Sequence, residues 1–305
     1  MTMKSLSLCK KKEGNMNFKN FKTINWMYWP SLILFIALVF YPFAHGIRIS
    51  FTDWNGFSQG YNYVGMANFK RLFIDNNFFI SFKNTIIYGV GSTILQQVIG
   101  ISYALLLNKD FKGRNLLRAV IYLPVLISGL IMGYMWYFIF QYSDGALNDI
   151  LLYFNKEAND WLGDPKFGVW IIVFVNSIQY CGVSMVIYLA GLQSISKSYY
   201  EAADIDGATA IQKFFNITLP LLKPAIITSF TINLIGGLKL FDAIKALTNG
   251  GPGYSSNSIS TLVNVAYFRS QMAGYASSMG LALFIFIVFI TIIIQKKFTV
   301  KEGEL

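Results

Sequence analysis

Six polar side chains lie inside or at the ends of long apolar stretches in the second half of the chain. They are Asn176, Gln179, Tyr180, Asn233, Lys239 and Asp242. Polar groups are costly in hydrocarbon and tend to face a cavity or a partner, so these side chains are candidates for lining a solute pathway. Amides exchange hydrogen bonds with hydroxyl groups, and aromatic rings stack on apolar ring faces, which suits a hydroxyl-rich solute.

These candidates also have structural alternatives. Asn176 and Gln179 would share one helix face, and hydrogen bonds between helices would explain both amides. Lys239, Asp242 and Lys245 follow one another at three-residue spacing. On a single helix they would lie near one face, where Asp242 can pair with either lysine as an ion-paired patch. The sequence leaves both interpretations open.

Cysteine and histidine chemistry finds no support in the sequence. Two cysteines, Cys9 and Cys181, and a single histidine, His45, lie far apart in the chain. They cannot assemble a disulfide framework or a site with the usual Cys/His metal spacings. The longest segment between apolar stretches has about 30 residues, and compact domains rarely fold below about 40 residues without metals or disulfides. The sequence therefore predicts no catalytic domain. Any chemistry that consumes energy must be carried out by a partner protein.

A second group of candidate residues lies in the polar segment after the fourth apolar stretch. Ser198 can cap a short helix, and Glu201 would lie in its first turn, where the helix dipole favours an anion. Ala202 and Ala203 are strong helix formers. Gly207 then permits a sharp change of direction. Small alanines would let another backbone approach closely, and Glu201 would offer a carboxylate to a basic partner.

A second short helix is expected over about 208–216. Its apolar side consists of Ile211, Phe214 and Phe215. Two prolines follow and would stop the helix before the next apolar stretch. The segment is therefore predicted to be a rigid helix-turn-helix that lies along the membrane.

The elements that must position these residues are predicted to be membrane spans. The chain is 54% hydrophobic and 13% charged, about half the charged share of a soluble domain. Several apolar stretches reach about 20 residues, the length that a helix needs to cross a bilayer. In the fifth stretch, the Gly236-Gly237 pair permits a kink or a close helix crossing. The predicted fold is an all-α membrane protein with six transmembrane helices, at about 26–48, 84–108, 119–141, 168–193, 225–247 and 275–295.

The distribution of basic residues predicts the orientation, because cytoplasmic loops carry an excess of lysine and arginine. Sixteen such residues fall in the tail 1–25, the loop 109–118, the segment 194–224 and the tail 296–305, against six in the opposite loops. Both termini are therefore expected to be cytoplasmic. The net charge of +10 follows from this topology, so no nucleic-acid partner is predicted.

The polar segment resembles the EAA loop of bacterial ABC importer permeases. That pattern reads EAA, two residues, DGA, five residues, F, two residues, I, one residue, LP, three residues and P, and every fixed position is filled here. The resemblance implies that the segment forms coupling helices seated in a cleft of a cytoplasmic ATPase. The matching positions are Glu201, Ala202, Ala203, Asp206, Gly207, Ala208, Phe214, Ile217, Leu219, Pro220 and Pro224.

A second resemblance concerns the substrate. The stretches Phe241-Asp242, Leu247-Thr248, Gly250-Gly251-Pro252 and Gly274-Tyr275-Ala276 are similar to those of carbohydrate-uptake permeases of the maltose and glycerol-phosphate type, in particular their first permease subunit. This implies a multi-pass protein of the bacterial cytoplasmic membrane that imports sugars or oligosaccharides.

The implied partners are a second homologous permease, two cytoplasmic ATPases, an extracytoplasmic solute-binding protein and membrane lipid. No cofactor is expected in this chain, because ATP and Mg²⁺ would bind to the ATPases, and the chain itself would not be an enzyme. Two alternatives stay open. One is an importer for a non-sugar solute such as glycerol phosphate or a polyamine. The other is an ion-driven transporter or channel, which would need acidic or histidine relays in mid-span, where only Asp242 qualifies.

Overall fold

The computed structural model describes residues 28–298, and these form helices and connecting turns without a strand. The predicted tail 1–25 and residues 299–305 lie outside the described residues. The first helix belongs to one compact unit and the chain from Ser50 onwards to a second. In chain order the helices are α1 (Tyr28–Ile49), α2 (Ala67–Leu72), α3 (Asn76–Leu107), α4 (Arg114–Leu126), α5 (Gly129–Phe140), α6 (Ala146–Tyr153), α7 (Pro165–Ser194), α8 (Lys197–Ile205), α9 (Ala210–Leu221), α10 (Lys223–Leu238), α11 (Asp242–Leu247), α12 (Ile259–Asn264, continued by the π turn Val265–Arg269) and α13 (Ala273–Phe298).

Four of the described helices, α1, α3, α7 and α13, are each long and apolar enough to cross a membrane. The bent pairs α4–α5 and α9–α10 meet the same criteria when each pair is taken together. The described part of the chain therefore has four to six candidate spans. The predicted second span began at residue 84, whereas α3 begins eight residues earlier, because Asp75 caps it by accepting the N–H of Asn77.

The centre of the second unit is α7. Pro165 begins this helix after Asp164, whose carboxylate accepts the backbone N–H groups of Lys166 and Phe167. Fifteen of its thirty residues are buried, so it packs against neighbours on several sides rather than along one stripe.

Helix α3 runs parallel to α7 along most of its length. Gly91 lies against Val173, the Gln96 amide donates to the backbone oxygen of Asn176, and Gly100 lies against Ser184. Residue numbers rise together on both helices. Leu107 at the end of α3 is therefore close to Leu192 at the end of α7, and both belong to one buried cluster.

Helix α10 runs antiparallel to α7. At one end Gly191 of α7 lies against Leu222 and Ala225, and further along the Asn233 amide donates to the Ser184 hydroxyl at 2.6 Å. Gly237 then crosses Gly89 of α3 so closely that a Cβ on Gly237 would lie 2.9 Å from the Gly89 Cα. Of the Gly236-Gly237 pair, Gly237 thus serves a close helix crossing, whereas Gly236 faces open space.

The predicted third span, 119–141, is wrong as a single helix. Helices α4 and α5 meet at an angle of 98°. Pro124 lies in the last turn of α4, where it removes a backbone donor, and Ile127 is extended and Ser128 non-helical. The chain therefore leaves the helical conformation for two residues before α5 begins.

The predicted fifth span, 225–247, is also not one helix. Helix α10 ends at Leu238, and Lys239 to Phe241 turn before α11 begins. The hydroxyl of Ser258 donates to the free carbonyl of Leu240 at 2.8 Å. Irregular backbone at membrane depth is tolerated where it lines a cavity or is buried in protein.

The segment before α3 is attached to the start of α13. Gly274 donates its N–H to Trp54, and the Tyr275 hydroxyl donates to Asp75 at 2.7 Å. Within the segment, the backbone N–H of Asn62 donates to the Asp53 carboxylate at 2.6 Å and holds the pKa of Asp53 below its usual value. This end of α3 and α13 is therefore closed by an ordered cap.

Candidate functional site

A cavity of about 380 Å³ lies where the break between α4 and α5 meets the break between α10 and α11. The break at Ile127 and Ser128 lies close to the break at 239–241, since Gly129 is against Asp242 and Gln179 of α7 bonds to Ile127. All six polar side chains predicted to line a pathway, Asn176, Gln179, Tyr180, Asn233, Lys239 and Asp242, are part of its wall. The structure thus brings together residues that are up to 66 positions apart in the sequence.

The amides of the cavity have different partners. Gln179 donates to the free carbonyl of Ile127 at 3.1 Å, and Asn233 donates to Ser184. Gln179 therefore makes the interhelical bond that was its structural alternative, and Asn233 makes one as well. The side chain of Asn176, only 2% exposed, makes no hydrogen bond to the described residues. Within the described residues, Asn176 therefore lacks the interhelical bond that was its structural alternative.

Sequence reasoning missed Gln96, which also lines the cavity. Its amide nitrogen donates to the backbone of α7, while its buried Oε1 has no hydrogen-bond partner in the described part of the chain. A glutamine inside the apolar α3 carries the same signal as Asn176 does in α7. An unpaired buried oxygen is costly, so a solute hydroxyl or a water molecule in the cavity would satisfy it.

Lys239 and Asp242 do not share a helix face, which corrects the predicted patch. Lys239 follows the last residue of α10 and Asp242 begins α11, and no ion pair joins Asp242 to Lys239 or Lys245 in residues 28–298. The Asp242 carboxylate instead lies against Gly129 at the start of α5, where a Cβ would be 3.0 Å from its Oδ2. The N-terminal end of a helix favours a negative charge.

The predicted helix-turn-helix is present as α8 and α9, with different boundaries. Ser196, not Ser198, caps α8 by accepting the N–H of Ser198. Gly207 is left-handed at φ +72° and begins the turn. The N–H of Ala208 donates to Ala203 and that of Gly207 to Asp204, which together form a Schellman motif.

Helix α9 begins two residues later than expected and continues further. Thr209 caps it through a capping box with Gln212. The helix passes through a π turn and includes Pro220, so this proline does not stop it. The change of direction, 66°, occurs at Leu222, and Pro224 lies in the first turn of α10.

Side-chain contacts hold the two short helices together. The Tyr200 and Thr218 hydroxyls are 3.0 Å apart, and Lys213 pairs with Asp204 at 2.6 Å. Directly after α9, Leu222 is fully buried in the cluster that contains Leu107 and Leu192. The helix-turn-helix is therefore a defined element joined to α7 and α10, which are two of the helices that line the cavity.

The outer surface of this element is unusually apolar. Ile205 is 88% exposed, Ile211 71% and Phe215 58%. The predicted apolar side was Ile211, Phe214 and Phe215, but Phe214 is half-buried, and Ile205 was missed. The only signal for Ile205 was an isoleucine between two aspartates. Glu201, Ala202, Asp206 and Gly207 are exposed beside it, whereas Ala203, Ala208, Ile217 and Leu219 are half-buried.

Comparison with known proteins gives relatives over most of the chain. The multiple sugar-binding transport system permease protein MsmF of Streptococcus mutans is 35% identical over 272 residues, which cover 88% of this chain and 93% of that protein. The trehalose/maltose transport system permease protein MalF of Thermococcus litoralis is 33% identical over 270 residues, covering 88% and 91%.

Solved structures give the same fold. A chain of a bacterial ABC transporter involved in the import of the acidic polysaccharide alginate matches with a TM-score of 0.79 at 25% identity, covering 92% of this chain and 96% of that chain. The family described as binding-protein-dependent transport system inner membrane component matches residues 96–298, which include both the cavity and the helix-turn-helix. This chain belongs to that family of membrane transport proteins.

Proposed function

We propose that this chain is a permease subunit of an ATP-driven importer of sugars or oligosaccharides, and that it forms half of the translocation pathway. The observation that carries the proposal is the cavity at the two helix breaks, with Asn176 in its wall, the unpaired Gln96 oxygen and the ring of Tyr180. This combination suits the hydroxyl groups and apolar faces of a saccharide. The transport of sugars by MsmF and MalF supports it.

The proposed topology has six spans and two cytoplasmic termini. Five crossings would be α3, the α4–α5 pair, α7, α10 with α11, and α13, and the sixth would be α1. The parallel course of α3 and α7 supports counting the broken α4–α5 pair as one crossing, because the chain must return to the opposite end of the bundle between them. Lys296 and Lys297, exposed in the last turn of α13, agree with a cytoplasmic end.

The helix-turn-helix would dock on a cytoplasmic ATPase. Its exposed Ile205, Ile211 and Phe215 suit an apolar cleft, and Glu201 suits a basic residue at the rim. Binding and hydrolysis of ATP with Mg²⁺ would occur in a pair of such ATPases, and this chain would carry out no catalysis. A second permease and an extracytoplasmic binding protein would complete the importer. Closure of the ATPases would then shift the cavity between two states of access.

Uptake measurements test this proposal. In cells that lack the chain, we expect loss of uptake of at least one labelled saccharide from a panel that also contains glycerol 3-phosphate and spermidine. Asn176→Leu should restore only part of that uptake, reduced about two- to tenfold, because one hydrogen bond to the solute is lost. The control is Thr291→Val, since Thr291 bonds only to its own helix.

Two results would contradict the proposal. Loss of glycerol 3-phosphate or spermidine uptake alone would show a different substrate class. Saccharide uptake that continues when the partner ATPases are inactivated would show that ATP does not drive transport.

A further inference from the structure

An apolar groove lies between the end of α3 and the start of α4. It has a volume of about 470 Å³. Among the described residues, its wall consists of Tyr103, Leu106, Leu107, Phe111, Leu117 and Ile121, with Lys109 as the only charged side chain. Leu106, Phe111 and Leu117 are 59%, 43% and 45% exposed. The groove does not contribute to the cavity described above, so the proposed transport function does not explain it.

The loop beside this groove has a strong positive charge. Together with the start of α4, up to Arg118, it contains four basic residues and one acidic residue. Asp110 is already paired with Arg114. Lys109 and Lys112 are exposed and form no ion pair within residues 28–298. The loop therefore offers uncompensated cations at the mouth of an apolar groove.

Arg118, next to the groove residue Leu117, links the two helices beside the groove. Its guanidinium donates to the free carbonyl of Leu107 at the end of α3 at 2.6 Å, and its buried Nε has no partner in the described part of the chain. This bond joins the two helices that form the walls. The groove is therefore a built feature of the loop rather than a gap between loosely placed side chains.

We propose that this groove binds one anionic phospholipid, with an acyl chain along the apolar wall and the phosphate at Lys109 and Lys112. The charge favours this occupant over a zwitterionic lipid or an apolar protein surface, because juxtamembrane cations bind anionic headgroups. Leu107 lies at the same end of the bundle as Leu222, which follows the helix-turn-helix. In the proposed orientation, the lipid belongs to the cytoplasmic leaflet. Only this choice of leaflet rests on the proposed function.

Native mass spectrometry of the full chain, purified with the subunits that accompany it, tests the site. The complex is titrated with phosphatidylglycerol and with phosphatidylcholine. We expect the wild type to retain phosphatidylglycerol preferentially, and the double variant Lys109→Gln, Lys112→Gln to lose about fivefold in this preference per lysine. The matched control is Lys296→Gln, Lys297→Gln, which removes two exposed cations at the end of α13 and should retain the preference.

A second pair of variants tests the apolar wall with all cations retained. Leu117→Trp fills the groove and should abolish the retained phosphatidylglycerol. Leu116→Trp, at a neighbouring exposed leucine that does not line the groove, should leave it bound. Should Leu117→Trp prevent assembly, the surface lysine variants still decide the question. Neither measurement depends on transport, so a failure here is distinct from a failure of the proposed function.

Three outcomes would overturn the proposal. If both double lysine variants lost the preference for phosphatidylglycerol equally, the preference would come from diffuse surface charge. Equal retention of both lipids would indicate an unselective apolar surface. A photo-crosslinker in place of Phe111 that forms an adduct with a partner subunit, rather than with phosphatidylglycerol, would show that the groove is a protein interface.

Discussion

At the scale of single residues, the adjacent glycines of α10 have opposite surroundings. A Cβ on Gly237 would meet the Gly89 Cα at 2.9 Å and the Tyr88 carbonyl at 3.0 Å, whereas nothing lies within 4 Å of one on Gly236. We therefore expect Gly237→Ala to destabilise the fold by about 1–3 kcal/mol, because backbone atoms must move apart. Gly236→Ala should be neutral or stabilising by up to about 1 kcal/mol. Thermal unfolding of the purified chain measures both, and equal effects would contradict the crossing.

Single residues also show what the sequence can and cannot predict. A polar side chain in an apolar helix signals a cavity or a partner, and this was sufficient to select Asn176 and Gln179. The choice between the two roles depends on which carbonyls are left unpaired nearby. Gln179 bonds to Ile127 only because α4 ends there. The distance between the Gln179 amide and the Ile127 carbonyl depends on the fold and cannot be read from the sequence. Both interpretations therefore stayed open.

At the scale of elements, the turn between α8 and α9 depends on one left-handed residue. Gly207 has a φ of +72° and open space where a Cβ would lie, so strain rather than crowding determines which residues fit. Left-handed backbone costs an ordinary L-residue about 1–2 kcal/mol, and asparagine tolerates it best. We expect Gly207→Val to abolish ATP-dependent uptake and Gly207→Asn to retain most of it. The measurement is uptake, together with the amount of ATPase that copurifies with each variant.

The control for this prediction is the level of chain in the membrane, which should be the same for both variants. Gly207 lies in an exposed turn and contributes nothing to the buried clusters. If Gly207→Val transports as well as the wild type, the Schellman turn is not needed for coupling.

The broken helices are the elements that sequence reasoning described least well. Hydropathy is averaged over a window of consecutive residues. An apolar stretch therefore has the same mean hydropathy whether its helix is straight or bent by 98°. Pro124 was a signal for the first break, although a proline in the last turn is also compatible with a gentle kink. The second break has no proline. It follows from packing, since Leu240 belongs to the buried cluster of α7 and its carbonyl is satisfied by Ser258.

At the scale of the whole molecule, the directions of the helices limit the possible topologies. Helix α3 is parallel to α7, and α10 is antiparallel to α7. The chain leaves α3 at the end of the bundle near Leu192 and must enter α7 at the other end. The α4–α5 pair, despite its break, is the element available for this return. A re-entrant loop would leave the chain at the wrong end for α7 to begin.

This argument predicts the accessibility of single cysteines placed in a chain from which both native cysteines have been removed. A cysteine at Asn108, after α3, should react with a membrane-impermeant maleimide only from the cytoplasmic side. Cysteines at Ser58 and Asp144 should react only from the opposite side, because α3 and the α4–α5 pair would each cross once in the proposed topology. A cysteine at Phe289, exposed in mid-α13, is the unreactive control.

Labelling of the cysteine at position 144 from the same side as the cysteine at position 108 would make α4–α5 a re-entrant loop. The parallel course of α3 and α7 could not then be maintained, since no other apolar segment between them is long enough to return the chain.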